Sequence, residues 1–150
     1  MYDRYYDEVE VGDTAIYGGV QVSEEYINRF AELTGDHHPL HVDPEFAARS
    51  RYGQRIAHGF LVLSLSAGMF PMDPAAVVAF YGMDGVRFVK PTFIGDTLRV
   101  RLTVTDKTDK TVGGVVQTAL EMVNQRDEVV AVATMRILVA RSPARAEVVA

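Results

Sequence analysis

Two short segments hold the residues able to do chemistry. In Asp36-His37-His38-Pro39-Leu40-His41 a carboxylate and an imidazole stand five positions apart around a proline, and Ile56-Ala57-His58-Gly59-Phe60 follows. All four histidines of the chain fall between His37 and His58. A carboxylate and an imidazole held by a stiff loop make an acid–base pair, and histidine suits that work because its unperturbed pKa lies near neutrality. A glycine opening an apolar helix offers a backbone N–H at the helix's positive end, where it can stabilise an oxyanion. The chemistry indicated is proton transfer beside a carbonyl.

The elements that must position these groups follow from periodicity. A strand or irregular edge is expected over Thr14 to Val22. Ser23 then reads as a helix N-cap, with Glu24 and Glu25 favourably placed against the helix dipole. Ile27, Phe30, Ala31 and Thr34 share one face, and Gly35 suits the left-handed residue that ends the helix. Asp43 as cap and Pro44 at the first helical position begin a second short helix running to about Arg49. Gly59 to Phe70 is apolar almost all round and reads as a helix buried on every side. Leu98, Val100, Leu102 and Val104 alternate with Arg99, Arg101, Thr103 and Thr105, the clearest strand in the chain. Further strands are expected at Phe80–Lys90, Val115–Val123 and Val129–Val139, divided by polar turns at Asp106–Lys110 and Asn124–Glu128. Helices first and antiparallel strands afterwards make an α+β domain, a sheet wrapped around one long buried central helix.

Composition narrows the function classes. The 150 residues fit one domain, with a core of about 12–140 and a peripheral tail over 141–150, and the 48% hydrophobic content suffices for a core. A net charge of −5 argues against a nucleic-acid partner, and with no cysteine there is neither a thiolate nucleophile nor a disulfide framework. The first eight residues carry no apolar stretch, and the run from Phe60 to Phe70 is too short to span a membrane. We expect a soluble, cytoplasmic protein with no membrane association.

Helix, Gly-Asp-x-x-Pro-Leu-His, short helix, then Ala-His-Gly and a buried helix together resemble the MaoC-like, or R-specific enoyl-CoA hydratase, family. The segment Val86 to Leu98 is similar to that family's strand–turn–strand element, so the resemblance runs from about Ser23 to Val139. It implies the hot-dog fold and the addition of water across a trans-2-enoyl-CoA to give an (R)-3-hydroxyacyl-CoA, or the reverse. It also implies Asp36 and His41 as catalytic pair and the Gly59 N–H as oxyanion donor. His38, Pro39 and His58 are candidate supporting residues, as are Ser64 and Ser66, since the family often has a hydroxyl on the buried helix supporting the aspartate. No cofactor is implied beyond the coenzyme A of the acyl-CoA substrate. A homodimer or higher homo-oligomer is expected from the family and from the open sheet edge. The chain departs from the pattern at His38, where the family most often has asparagine.

Other readings weigh against this one. A hot-dog acyl-CoA thioesterase would carry its carboxylate on the central helix, yet Phe60 to Phe70 contains no Asp or Glu. A non-catalytic acyl-CoA-binding or partner subunit would not need Asp36 and His41. His37, His38 and His41 with Asp36 or Asp43 are ordinary zinc-ligand types, but neighbouring histidines in an extended loop point apart, and no metal is expected. His58 reads as a helix-start or packing residue. Arg87, Lys90, Arg99 and Arg101 read as solvated strand residues, any of which could meet coenzyme A phosphates.

Overall fold

A computed structural model describes residues 1–143. Five strands, β1 (Thr14–Gln21), β2 (Val77–Phe88), β3 (Thr97–Lys110), β4 (Gly113–Val123) and β5 (Val129–Ala140), form one antiparallel sheet in the order β1-β3-β4-β5-β2. Four α-helices precede β2: α1 (Glu24–Thr34), α2 (Pro39–Val42), α3 (Pro44–Ala48) and α4 (Gly59–Ala67), with a short 3-10 turn at Tyr6–Glu8 before β1. The alternation read over Leu98 to Val104 is realised with all four apolar residues buried in β3. They join Leu120, Met122, Met135 and Ile137 of the central strands in a core that α4 enters through Leu61 and Val62. No helix among the described residues is long and apolar enough to cross a membrane.

Local signals place the elements that feed the site. The Ser23 side chain accepts from the Tyr26 N–H at 3.1 Å, and Gly35, at φ 78°, closes α1 by donating to Ala31 O at 2.8 Å. Ile27 and Ala31 are buried, Phe30 is half-buried, and Thr34 turns its hydroxyl back onto Phe30 O. Asp43 caps α3 by accepting from both Glu45 and Phe46 N–H groups, with Pro44 at the first helical position.

Three expectations change. Helix α4 ends at Ala67, three residues short of Phe70, and it is not buried all round: Phe60 is 66% exposed, and Ser64 and Ala67 are exposed below it. These positions form one stripe at i, i+4 and i+7, because a single sheet can cover only one side of a helix. The segment Asp106–Lys110 is not a turn but the outer half of β3, paired with Gly113–Gln117 across a turn at Thr111–Val112. The side chains of this outer half are mostly exposed while the partner residues Gly113–Val116 are buried, so hydrogen bonding continues where the hydrophobic alternation of β3 has stopped. A one-turn helix, α2, stands where the sequence indicated only a stiff loop. Residues 144–150, most of the expected peripheral tail, lie outside the described residues. Arg141, given no role by the sequence, pairs with Asp7 and Asp109.

Ile27 is the fully buried anchor of α1 and hence of the loop that follows it. Ile27→Ala is expected to lower unfolding free energy by about 2–5 kcal/mol, read from the urea midpoint at unchanged slope.

Candidate active site

The left-handed turn at Gly35 throws the chain off α1 into a loop that begins at Asp36. Asp36 is exposed, and its Oδ1 accepts from the His38 N–H at 3.3 Å, a local turn bond. His38 then caps α2: its Nδ1 accepts from the Leu40 N–H at 3.2 Å. An asparagine side-chain oxygen would accept the same bond, which explains how imidazole can stand where the family pattern has asparagine. Pro39 follows at the first helical position, where its missing N–H costs nothing.

His41 sits on the single turn of α2 and is half-buried. Its Nδ1 lies 2.8 Å from Ile56 O. A carbonyl only accepts, so Nδ1 carries a proton and the neutral ring keeps its lone pair on Nε2. The Ile56 backbone is fixed by its own bonds, to Leu40 O at 3.3 Å and in an antiparallel bridge to Phe93, while Ala57 N–H donates to Thr92 O at 2.8 Å. Neighbouring Arg55, buried, pairs with Glu24 at the start of α1. Burial lowers the His41 pKa below its ordinary 6.5; the bond to Ile56 O and the Asp36 carboxylate oppose that shift.

His58 closes the group from beneath. It is 2% exposed, its ring lies 3.9 Å from that of His41 at 31°, and its Nε2 is 3.0 Å from the backbone O of Asp36. One ligand atom each from Asp36, His41 and His58 lie within 4.8 Å of one another. This is a different trio from the His37, His38 and His41 set read from sequence. Of the four ring nitrogens in this cluster two, His41 Nδ1 and His58 Nε2, are already committed to backbone carbonyls.

In front of His41 lies a half-open cleft of about 160 Å³ lined by Tyr52, Ile56, Gly59, Phe88, Lys90 and Thr92, among others. Gly59 begins α4, and among the described residues no acceptor takes its N–H. A Cβ at Gly59 would stand 2.7 Å from the Phe88 ring, so glycine is required for the aromatic wall to approach the helix start. The cleft therefore offers a base lone pair, a nearby carboxylate and a backbone donor at a helix's positive end.

With that geometry in view, the family model described as MaoC like domain matches residues 9–126. The chain belongs to the MaoC-like family. It is 40% identical over 109 residues to Protein MaoC of Klebsiella aerogenes, covering 71% of this chain but only 32% of that protein. It thus spans about a third of that relative's length. It is 36% identical over 110 residues to 3-hydroxyacyl-thioester dehydratase Z of Mycobacterium tuberculosis, covering 69% of this chain and 73% of that one. R-hydratase PhaJ1 from Pseudomonas aeruginosa superimposes with a TM-score of 0.78 at 30% identity, over 92% of this chain and 86% of that one. The MaoC-like chain has the hot-dog fold of these neighbours.

Not every candidate is brought to the site. Buried Ser66 donates its hydroxyl to Leu63 O at 2.6 Å within its own helix, and Ser64 faces outward. Among the described residues neither hydrogen-bonds to Asp36. Both line a second, apolar cavity of about 220 Å³ between α4 and β2, with Phe70, Phe80 and Met83. Of the strand cations, Lys90 lines the cleft but is paired with Glu128; Arg99 and Arg101 pair with Asp127 and Glu121. The Ile56 carbonyl and the Phe88 ring were missed by sequence reasoning. A main-chain acceptor has no residue-type signature, and a contact across 29 positions (Gly59 to Phe88) has no local period.

A lowered pKa keeps an imidazole neutral to lower pH. The His41 ring resonances are therefore expected to titrate with a midpoint below 6.5. Asp36→Asn removes a carboxylate that favours the cation, so it should move that midpoint lower still, as NMR titration would read directly.

Proposed function

We propose that this protein catalyses (R)-specific hydration of a trans-2-enoyl-CoA to the (R)-3-hydroxyacyl-CoA, or the reverse dehydration. The observation that carries the reading is His41, whose Nδ1–H is committed to Ile56 O while Nε2 stays free beside Asp36 and the cleft. In the hydration direction the water oxygen bonds to C3, its proton passes to the pair, and a proton is delivered to C2. Negative charge that develops on the thioester oxygen is received by the Gly59 N–H at the start of α4. Each transfer needs one group, and Asp36 and His41 supply two. No cofactor enters the scheme; coenzyme A is part of the substrate.

The names of the dehydratase and hydratase relatives support this reading, as does the lack of any carboxylate on α4, where a thioesterase would need one. The acyl chain has a candidate seat in the apolar cavity beside Phe70, Phe80 and Met83. We also place the protein in the cytoplasm as a homodimer. The edge strand β2 carries Val78, Phe80, Tyr81 and Phe88 at 45–56% exposed, next to the open stripe of α4. An unpaired edge with apolar side chains is what a second copy would cover.

The test follows loss of enoyl-thioester absorbance in crotonyl-CoA and longer enoyl-CoAs, with thiol release measured in parallel. Asp36→Asn and His41→Ala are each expected to lower kcat/KM by about 10²–10⁴-fold. Thiol release at a matching rate would move the assignment to a thioesterase. Activity undiminished in both variants would remove the pair from the mechanism. Gly59→Ala keeps the N–H but drives a methyl into Phe88; kcat should fall about 10- to 10³-fold, with the fold retained by circular dichroism.

A further inference from the structure

His58 is the one buried titratable side chain of the site to which the proposed chemistry gives no part. Its Nδ1 is fully buried and, among the described residues, has no hydrogen-bond partner. As the residue before α4 it occupies the cap position, where a side chain normally accepts from the first helical N–H groups, yet it makes no such bond. The ring is instead turned so that Nε2 meets Asp36 O at 3.0 Å, and it is flanked by Phe30 at 5.0 Å and His41 at 3.9 Å. A residue present only to start the helix would face the helix.

We propose that His58 is a positioning residue, held as the neutral Nε2–H imidazole, that latches the Asp36 main chain and backs the His41 ring so that the two reacting groups keep their registration. The tautomer follows from its partner: the Asp36 carbonyl can only accept, so the proton is on Nε2. The charge state follows from Nδ1. A second proton there would bury a cationic N–H with no acceptor, against a ring that must itself accept a proton during turnover. A bare ring nitrogen in the same place is far cheaper. The other titratable groups facing this pair are Asp36 and His38 on the same loop, and Tyr52 and Lys90 across the cleft, Lys90 being paired with Glu128. None of them reaches Nδ1 as an acceptor.

The latch acts on a segment with little else to hold it. From Asp36 to Phe46 no side chain is fully buried; Ala47 is the first. The link from α4 to the Asp36 main chain and the link from Ile56 to the His41 ring are therefore two separate tethers, one for each member of the pair. Loss of the first should displace Asp36 relative to His41 without removing either, and small displacements of reacting groups are enough to cost about 10²-fold.

This rests on the proposed hydro-lyase reading, and the test separates the two. Nitrogen shifts of ¹⁵N-histidine-labelled protein report protonation of each ring nitrogen without any turnover. His58 is expected to show a protonated Nε2 and a bare Nδ1; a doubly protonated ring or the opposite tautomer overturns the proposal. His58→Phe keeps the ring stack but removes the donor, and kcat is expected to fall about 10²-fold with KM little changed. His58→Gln, whose amide can donate where Nε2 does, is expected to recover most of that loss. Wild-type kcat in the Phe variant, or equal losses in both variants with folding intact, overturns it. If the wild-type protein hydrates no enoyl-CoA, the functional reading fails, while the histidine shifts still decide the positioning claim.

Discussion

The hydrogen bond from His41 Nδ1 to the Ile56 carbonyl joins the two halves of the site, and most of the arrangement exists to keep that carbonyl still. Ile56 is held from one side by Leu40 of α2 and from the other by the bridge to Phe93 on the connection into β3. Arg55 ties the same segment to Glu24 at the head of α1, so the N-terminus of one helix and the N-terminus of another are referred to a common strip of backbone. A main-chain acceptor is well suited to this role. It cannot donate, so it fixes which nitrogen of His41 is protonated, and it cannot change rotamer. The uncommitted Nε2 is then the only basic site the ring can offer.

Burial and polarity divide the work between the two members of the pair. His41 is half-buried and its pKa is lowered mainly by that burial, which keeps it a free base at neutral pH. Asp36 stays exposed, so water can reach its carboxylate. The pair therefore sets a half-buried imidazole and an exposed carboxylate on the same loop, within reach of one another. The loop itself is stabilised by caps and short local bonds from Thr34, Asp36, His38 and Asp43 more than by apolar burial. Segments of that kind open at low free-energy cost, which is why the tethers to α4 and to Ile56 matter out of proportion to their number.

How much of this was legible in the sequence depended on whether the cause was local. Ser23, Gly35, Asp43 and Pro44 act within one turn of themselves, and each does in the structure what its residue type indicated. The strand at Leu98 to Val104 was legible because one of its faces is core and the other is not. Helix α4 was misjudged because its residues are apolar on both sides while only one side meets the sheet; hydropathy cannot distinguish a face covered by its own chain from one awaiting another cover. The far half of β3 was misjudged for the opposite reason, since it pairs fully and buries little. At the site, the motif named Asp36, His41 and Gly59, and the structure sets Asp36 and His41 in one cluster with Gly59 on the same cleft as His41. The Ile56 carbonyl, the Phe88 wall and the contact between His58 and the Asp36 main chain depend on folding distant segments together. Ser64 and Ser66 show the same limit, being on the expected helix but, among the described residues, making no hydrogen bond to Asp36.

The side from which the carboxylate arrives also bears on which reaction the fold can support. Helix α4 contributes a backbone donor at Gly59 and a series of aliphatic residues, with no acid along its length. A thioester carbonyl oriented by that donor would find no carboxylate presented by the helix to activate water against the carbonyl carbon. The only carboxylate in the cluster comes from the loop beyond α1, beside a histidine that lines the cleft. In the proposed reaction attack would come from the loop toward the part of the acyl group beyond the carbonyl, which in a conjugated enoyl thioester is the C2–C3 bond. The electrons displaced by attack at C3 would move toward the thioester oxygen, the atom that the proposal gives to the Gly59 N–H at the helix start. A helix start without an acid and a loop that carries the carboxylate are thus the two features on which the proposed addition of water, over cleavage of the thioester, rests.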